Sequence, residues 1–292
     1  MRALPVTVLA VCGLIASACG ATGTGDAAAG QAATTSTKEG ASSSAPAKTF
    51  DPAETAGPSG TAGSSAERAR EARPLDGKVI VIDPGHNGGN YRAPKQINRQ
   101  VDVLTKKKAC DTTGTATNSG YSEAAFTWDV STRMVKILER RGATVKLTRP
   151  DNDGVGPCIT RRAAIGNKAK ADAAISVHAD GSAPGNHGFH VIMPKKINGP
   201  VDKVVGPSSR LGIAVRDAFA KGTGLPYSTY IGKKALDYRS DLGGLNLSTV
   251  PKIFVECGNM RNAAEAAKFR RAKFRQKIAL ALANGLQHYL KA

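Results

Sequence analysis

The sequence predicts an α/β fold over residues 75–292, a single domain with a mixed, twisted sheet flanked by helices. Three observations carry that reading. Runs of Val, Ile and Ala bounded by turn residues, such as Val79–Ile82 and Ala173–Val177, are the pattern of interior strands. Between them lie longer segments with apolar residues near helical spacing. The chain beyond residue 74 is also long enough for one sizeable core.

What precedes the domain reads differently. Residues 1–18 have the order of a secretory leader, with Arg2, an apolar stretch from Ala3 to Ala16, and small residues before Cys19. The apolar core is too short for an ordinary transmembrane helix. Cys19 behind those small residues looks like a bacterial lipoprotein cleavage site, where it would carry the lipid. Plain cleavage after Ala18 is the other outcome, because Ala16 stands where that pattern usually has Leu. Either outcome exports the mature chain to the cell envelope, anchored through Cys19 or else secreted or periplasmic. Residues 20–73 are Ala, Gly, Ser, Thr and Pro with almost no large apolar side chain, a low-complexity linker that cannot offset the entropy of ordering. As a flexible coil of about 50 residues such a tether would reach roughly 40 Å.

The elements follow in order. The first strand, VIVI at 79–82, ends in Asp83-Pro84-Gly85-His86. Tyr121–Arg141 places Ala125, Trp128, Thr132, Val135 and Leu138 near helical spacing, with Ser122 able to cap and Gly142 to stop the helix. Thr144–Arg149 alternates as a strand, Ile159–Ala169 reads as a helix, and Ala173–Val177 is a second interior strand, running into His178. Gly188–Met193 and Ile253–Val255 supply further strands, with helices at about 207–221 and 262–290.

Charge and cysteine usage bound the partners. Residues 1–74 carry six basic and six acidic side chains, whereas 75–292 carry 35 Lys and Arg against 17 Asp and Glu. The folded domain thus holds the whole +18 excess, which suits a polyanionic partner. Aromatic residues are sparse and not interleaved with basic ones, which argues against nucleic acid and for an anionic cell-wall polymer or a membrane surface. Of Cys110, Cys158 and Cys257, the first two lie in polar, turn-rich segments and the third follows Ile253-Phe254-Val255. In an oxidising compartment the expected pair is Cys110–Cys158, against the alternative of three free thiols. Closing that loop would contribute about 4 kcal/mol in the chain-entropy model.

Four polar residues sit where elements begin or end. His86 and His178 each follow an interior strand, Glu256 follows Phe254-Val255, and Glu123 stands in the first turn of a helix. Singly, each has an ordinary explanation as a loop histidine, a helix-dipole partner or a salt bridge. Together they suggest a catalytic centre: two imidazoles and a carboxylate with an open fourth position suit zinc, and a further glutamate suits hydrolysis by activated water.

The motifs DPGHNGG at 83–89, Glu123 opening a helix, LTRPD at 147–151, Arg161, SVHAD at 176–180 and VECGNMRN at 255–262 resemble the zinc-dependent N-acetylmuramoyl-L-alanine amidases of the amidase_3 type. The resemblance spans about 78–290. It implies that His86, Glu123 and His178 ligate Zn2+ and that Glu256 is the catalytic glutamate. It also implies a peptidoglycan hydrolase that cleaves muropeptides between N-acetylmuramic acid and the L-alanine of the stem peptide; a monomer is expected, though the sequence leaves the oligomeric state open. Two alternatives stand beside it: another zinc hydrolase of cell walls, such as a peptidase or deacetylase, and a non-catalytic wall-binding or regulatory protein on the same fold. The sequence departs from compact members by a long polar insertion between His86 and Glu123, containing Lys106-Lys107-Lys108 and Cys110. That insertion would form either a flap or hairpin at the cleft, pinned by the disulfide, or an edge decoration. His187 and His190 in GNHGFHV read as surface or sheet packing, and His288 as structural.

Overall fold

A computed structural model describes residues 73–292. The leader at 1–18, Cys19 and the linker up to residue 72 lie outside the described residues. Six strands form one mixed sheet: β1 (Val79–Pro84), β4 (Thr144–Leu147), β5 (Ala173–Asp180), β6 (His190–Pro194), β7 (Leu236–Arg239) and β8 (Lys252–Asn259). A separate hairpin pairs β2 (Gln100–Asp102) with β3 (Lys107–Ala109). The spatial order in the sheet is β4-β1-β5-β8-β6-β7, parallel throughout except where β6 runs antiparallel to β8.

The helices are α1 (Glu123–Arg140), α2 (Ile159–Lys168), α3 (Val205–Thr223), α4 (Ala263–Phe269) and α5 (Ala272–Lys291), with single helical turns at Pro94–Ile97 and Gly243–Asn246. Because strand side chains alternate, the two sheet faces differ. Ile80, Ile82, Ile175, Val177, Ile253 and Val255 face one way, into a large core shared with α1, α3 and α5. Val81 and Ala174 face the other way, where a small cluster with Val250 and α2 residue Ile165 covers only part of the sheet. The uncovered remainder, at the carboxyl ends of the parallel strands, is the cleft.

Two sequence expectations change in detail. In α1 the buried stripe is Glu123, Ala124, Phe126, Thr127, Val130, Ser131, Met134, Ile137 and Leu138, whereas Ala125, Trp128, Thr132 and Val135 are only partly covered. The apolar part of that stripe is Phe126, Val130, Met134, Ile137 and Leu138, and Thr127 adds a polar edge where the helix packs on the site, so a face drawn through Ala125, Trp128 and Thr132 is offset from the buried one. Ser122 does cap, accepting from Ala125 N, and Gly142 ends the segment at φ 98°, where a Cβ would meet the Asp76 backbone. The helix expected at 262–290 is broken at Arg270-Arg271 into α4 and α5, and the Arg275 guanidinium donates to the carbonyls of Phe269 and Arg270 that the break frees.

Candidate metal centre and cleft

The Asp83-Pro84-Gly85-His86 turn leaves β1 with its backbone held by two buried arginines. Arg149 donates to the carbonyls of Pro84 and Ala124 at 3.1 and 3.0 Å, tying the turn to the start of α1. Arg162 donates to the Pro84 carbonyl at 2.7 Å, the His86 carbonyl at 2.8 Å, Asp83 Oδ1 at 2.9 Å and Asp111 Oδ2 at 2.9 Å. Asp83 in turn accepts from Thr148, Ser176 and the buried Lys252 Nζ. Burial works against the charge on Asp83, but Lys252 and Arg162 beside it hold its pKa well below the usual carboxylate range. Such a braced turn can hold His86 at φ 58°, a left-handed conformation unfavourable for a side chain with a Cβ.

Three donors converge there. Ligand atoms of His86, Glu123 and His178 all lie within 4.8 Å of one another. His86 Nε2 is 3.1 Å from Glu123 Oε2, and His178 Nδ1 is 2.8 Å from Glu123 Oε1. The other nitrogen of His86, Nδ1, donates to the Thr112 carbonyl at 3.0 Å, which turns Nε2 toward the centre. Glu123 is oriented by Thr115 N at 2.9 Å and Ala179 N at 3.2 Å, and His178 stacks on Phe254 with ring centroids 3.9 Å apart. Space is close enough that a Cβ on Gly85 would overlap the His178 ring.

The electrostatics follow from this crowding. Burial disfavours charge on His86, but Glu123 and Asp111 beside it raise its pKa to about 10. At His178 burial wins over the same carboxylate and the pKa falls. Glu123 is held below the usual range, against burial, by His86 and His178. Two imidazoles and an ionised carboxylate, one imidazole tautomer fixed by a backbone carbonyl, have the donor chemistry that would suit a divalent ion such as zinc.

The cleft is about 480 Å³ and its floor holds Glu256. Register pairs Glu256 with His178 across β8 and β5, so both side chains rise from the same face. Its Oε2 is enclosed with no partner among the described residues, and burial together with Glu123 and Asp180 raises its pKa well above the usual value. The four residues singled out from sequence therefore meet in one place.

Sequence reasoning missed the supports. Arg161 is exposed, and its neighbour Arg162 carries the bracing. Asp111, Thr112 and Thr115, all within the insertion, touch or orient His86 and Glu123. Cys110 and Cys158 form the expected disulfide, and Cys257 is a buried free thiol. The insertion carries a hairpin whose Lys108 and Ala109 line the cleft. It docks through Lys106 and Lys108 on Asp241 and through Thr105 on the Ser240 carbonyl. His190, read as packing, is fully buried and stands in register beside Glu256. The available signal was Asp83 and Lys252, charges flanking interior strands that must find partners.

Residues 80–288 match the N-acetylmuramoyl-L-alanine amidase family model. Among curated relatives, the N-acetylmuramoyl-L-alanine amidase Rv3717 of Mycobacterium tuberculosis is 40% identical over 218 residues, covering 74% of this chain and 88% of that one. The probable cell wall amidase LytH of Staphylococcus aureus is 26% identical over 230 residues, covering 78% of this chain and 63% of its own length. Among solved structures, the N-acetylmuramyl-L-alanine amidase Ami1 of Mycobacterium abscessus superposes with a TM-score of 0.69 at 43% identity, over 74% of this chain and all of that one. Ami1 of Mycobacterium smegmatis gives a TM-score of 0.70 at 38% identity, over 74% of this chain and 98% of that one.

Proposed function

Because the chain belongs to the N-acetylmuramoyl-L-alanine amidase family, we propose that His86, Glu123 and His178 hold a zinc ion and that Glu256 moves the proton in its reaction. The chain is a peptidoglycan hydrolase that cleaves the amide between N-acetylmuramic acid and the L-alanine of the stem peptide. The observation that carries the site assignment is the convergence of the three donor side chains beside an unpaired, enclosed Glu256 carboxyl.

When bound there, zinc supplies Lewis acidity toward the amide carbonyl and toward water. The chain's residues do the rest. Glu256, its pKa raised by its buried and negative surroundings, takes a proton from the attacking water and returns it to the departing L-alanine amine, a poor leaving group unless protonated. Asp83, Arg149 and Arg162 keep His86 in place through its backbone. The hairpin at 100–109 borders the cleft and acts as a flap governing which muropeptides enter.

This role lies at the cell envelope, where the substrate is. Among the described residues no helix is long and apolar enough to cross a membrane. We extend the proposal to export by the leader at 1–18, lipidation at Cys19, a tether over 20–73 and a monomeric catalytic domain at 75–292. The basic domain surface would hold anionic wall polymer or membrane rather than nucleic acid. The test is mass spectrometry of products from purified muropeptides, run beside Glu256→Gln. The amidase frees an L-alanine amino terminus and an intact muramic acid; a peptidase or deacetylase does not. Glu256→Gln should retain zinc and melting temperature while turnover falls by about 10²–10⁴. A folded, zinc-loaded Glu256→Gln protein with wild-type turnover would remove Glu256 from the mechanism.

A further inference from the structure

Strand register sets three titratable side chains in a row on the cleft face. His178 on β5 pairs with Glu256 on β8, and Glu256 pairs in turn with His190 on β6. Residues paired in this way put their Cβ atoms on one face, about 5 Å apart. The first is assigned to the metal and the second to the proton; the third has no role so far.

His190 is poorly explained as packing. It is 1% exposed, and its Nδ1 has no hydrogen-bond partner among the described residues. Beside it, Glu256 Oε2 is enclosed and unpartnered in the same way. Leaving a buried polar atom unpaired costs about 1–3 kcal/mol, so an apolar residue at position 190 would serve a purely structural purpose better. Two of the other groups around the imidazole are committed elsewhere. The Tyr230 ring meets His190 edge-on at 6.0 Å, but the Tyr230 hydroxyl donates to Asp180 Oδ2 at 2.9 Å. Arg239, on the same face of β7, is bound to Asp241 at 2.7 and 2.8 Å. Asp237, also on that face, leaves its Oδ2 unpartnered.

Glu256 also lacks a hold. Its carboxyl is repelled by Glu123 and Asp180 and attracted by His86 and Arg239, and none of these bonds to it. A base that must alternate between ionised and protonated forms needs a neighbour able to follow it. A neutral imidazole can do so, because it offers one N–H and one lone pair. Burial favours the neutral form of His190, with Asp180 and Asp237 opposing.

We propose that His190 is a positioning residue for the amide hydrolysis, its Nδ1 holding the Glu256 carboxyl toward the attacking water through one bridging water. The proposal rests on Glu256 being the proton carrier. On that basis, a change at His190 acts on kcat through Glu256 and leaves substrate binding and zinc alone.

The test uses the full chain loaded with zinc and a soluble muropeptide. Leucine at 190 removes the hydrogen-bonding atoms; asparagine keeps one near the place of Nδ1, and glutamine keeps one near the place of Nε2. His190→Leu should lower kcat about 10- to 100-fold, with KM within about twofold and zinc content unchanged. His190→Asn should recover most of that loss. Should His190→Leu fail to fold, the comparison of His190→Asn with His190→Gln decides, the first active and the second impaired. Combined with Glu256→Gln, His190→Leu should add little further loss, because its effect passes through that carboxyl. A folded His190→Leu protein with wild-type kcat, a recovery by glutamine rather than asparagine, or a full additional loss on the Glu256→Gln background would overturn the proposal. Failure of Glu256→Gln to lose turnover would instead sink the reading of Glu256 itself.

Discussion

At the scale of single residues, the site depends on charges buried in matched sets. Arg162 stands between Asp83 and Asp111, all three nearly inaccessible. Removing one partner leaves the others uncompensated, so Arg162→Met should cost about 3–5 kcal/mol of stability and loosen zinc, since the same side chain holds the His86 carbonyl. Denaturant unfolding and metal analysis read the two effects separately. Asp83 makes a prediction about acid. Its folded pKa lies below its unfolded value, so it contributes stability present above the unfolded pKa of about 3.9 and lost as pH falls through the folded value. Asp83→Asn should therefore be markedly less stable than wild type at pH 7, and the gap should narrow in strong acid. A gap that stays constant from neutral to acid pH would show that Asp83 is not ionised in the folded protein.

At the scale of elements, position is set by how segments begin and end. Glu123 occupies the first turn of α1, whose start is defined by the Ser122 cap. Ser122→Ala should cost about 1 kcal/mol and weaken zinc retention by fraying the turn that presents Glu123. The insertion divides into two parts with different duties. Its tip, the β2–β3 hairpin, contacts 240–246. Its descending limb carries Asp111, Thr112 and Thr115, which bond to His86 and Glu123 or stand beside them. Deleting 95–115, the segment a sequence-based design would choose, should thus damage zinc binding. Replacing only 101–108 by a short turn should change KM and substrate selectivity and leave zinc content intact. Equal zinc loss in both deletions would refute that division.

At the scale of the whole molecule, the two sheet faces have different surroundings. Helices α1, α3 and α5 pack on the face opposite the cleft. Their ten Lys and Arg face only Asp129, Glu139 and Asp217 as acidic residues apart from Glu123. Counting Glu123, these helices place six of the domain's +18 excess charges on the side away from the chemistry. Retention on insoluble wall should fall steeply between low and physiological salt, and further on reversing Lys136, Arg140, Lys273 and Lys277. Turnover of a soluble muropeptide should be unaffected by those reversals. Salt-independent retention would assign wall binding to something other than this surface.

The sequence by itself singled out the four residues that the fold brings together, because each is announced locally: His86 and His178 end strands, Glu123 opens a capped helix, and Glu256 follows apolar residues where a carboxylate is costly. It determined the disulfide for a similar reason, since Cys257 follows an apolar run and the other two lie in polar, turn-rich segments. Only the tertiary structure decided which elements are neighbours. The order β5-β8-β6 joins strands far apart in the chain, and no local pattern states that Glu256 lies between His178 and His190. The helical spacing in α1 likewise could not reveal that its buried face must serve Gly85 and Arg149 as well as the core. Periodicity records how much of an element is covered, whereas the identity of what covers it is set by pairings between distant segments, whose energies depend on the partner and not on the segment alone.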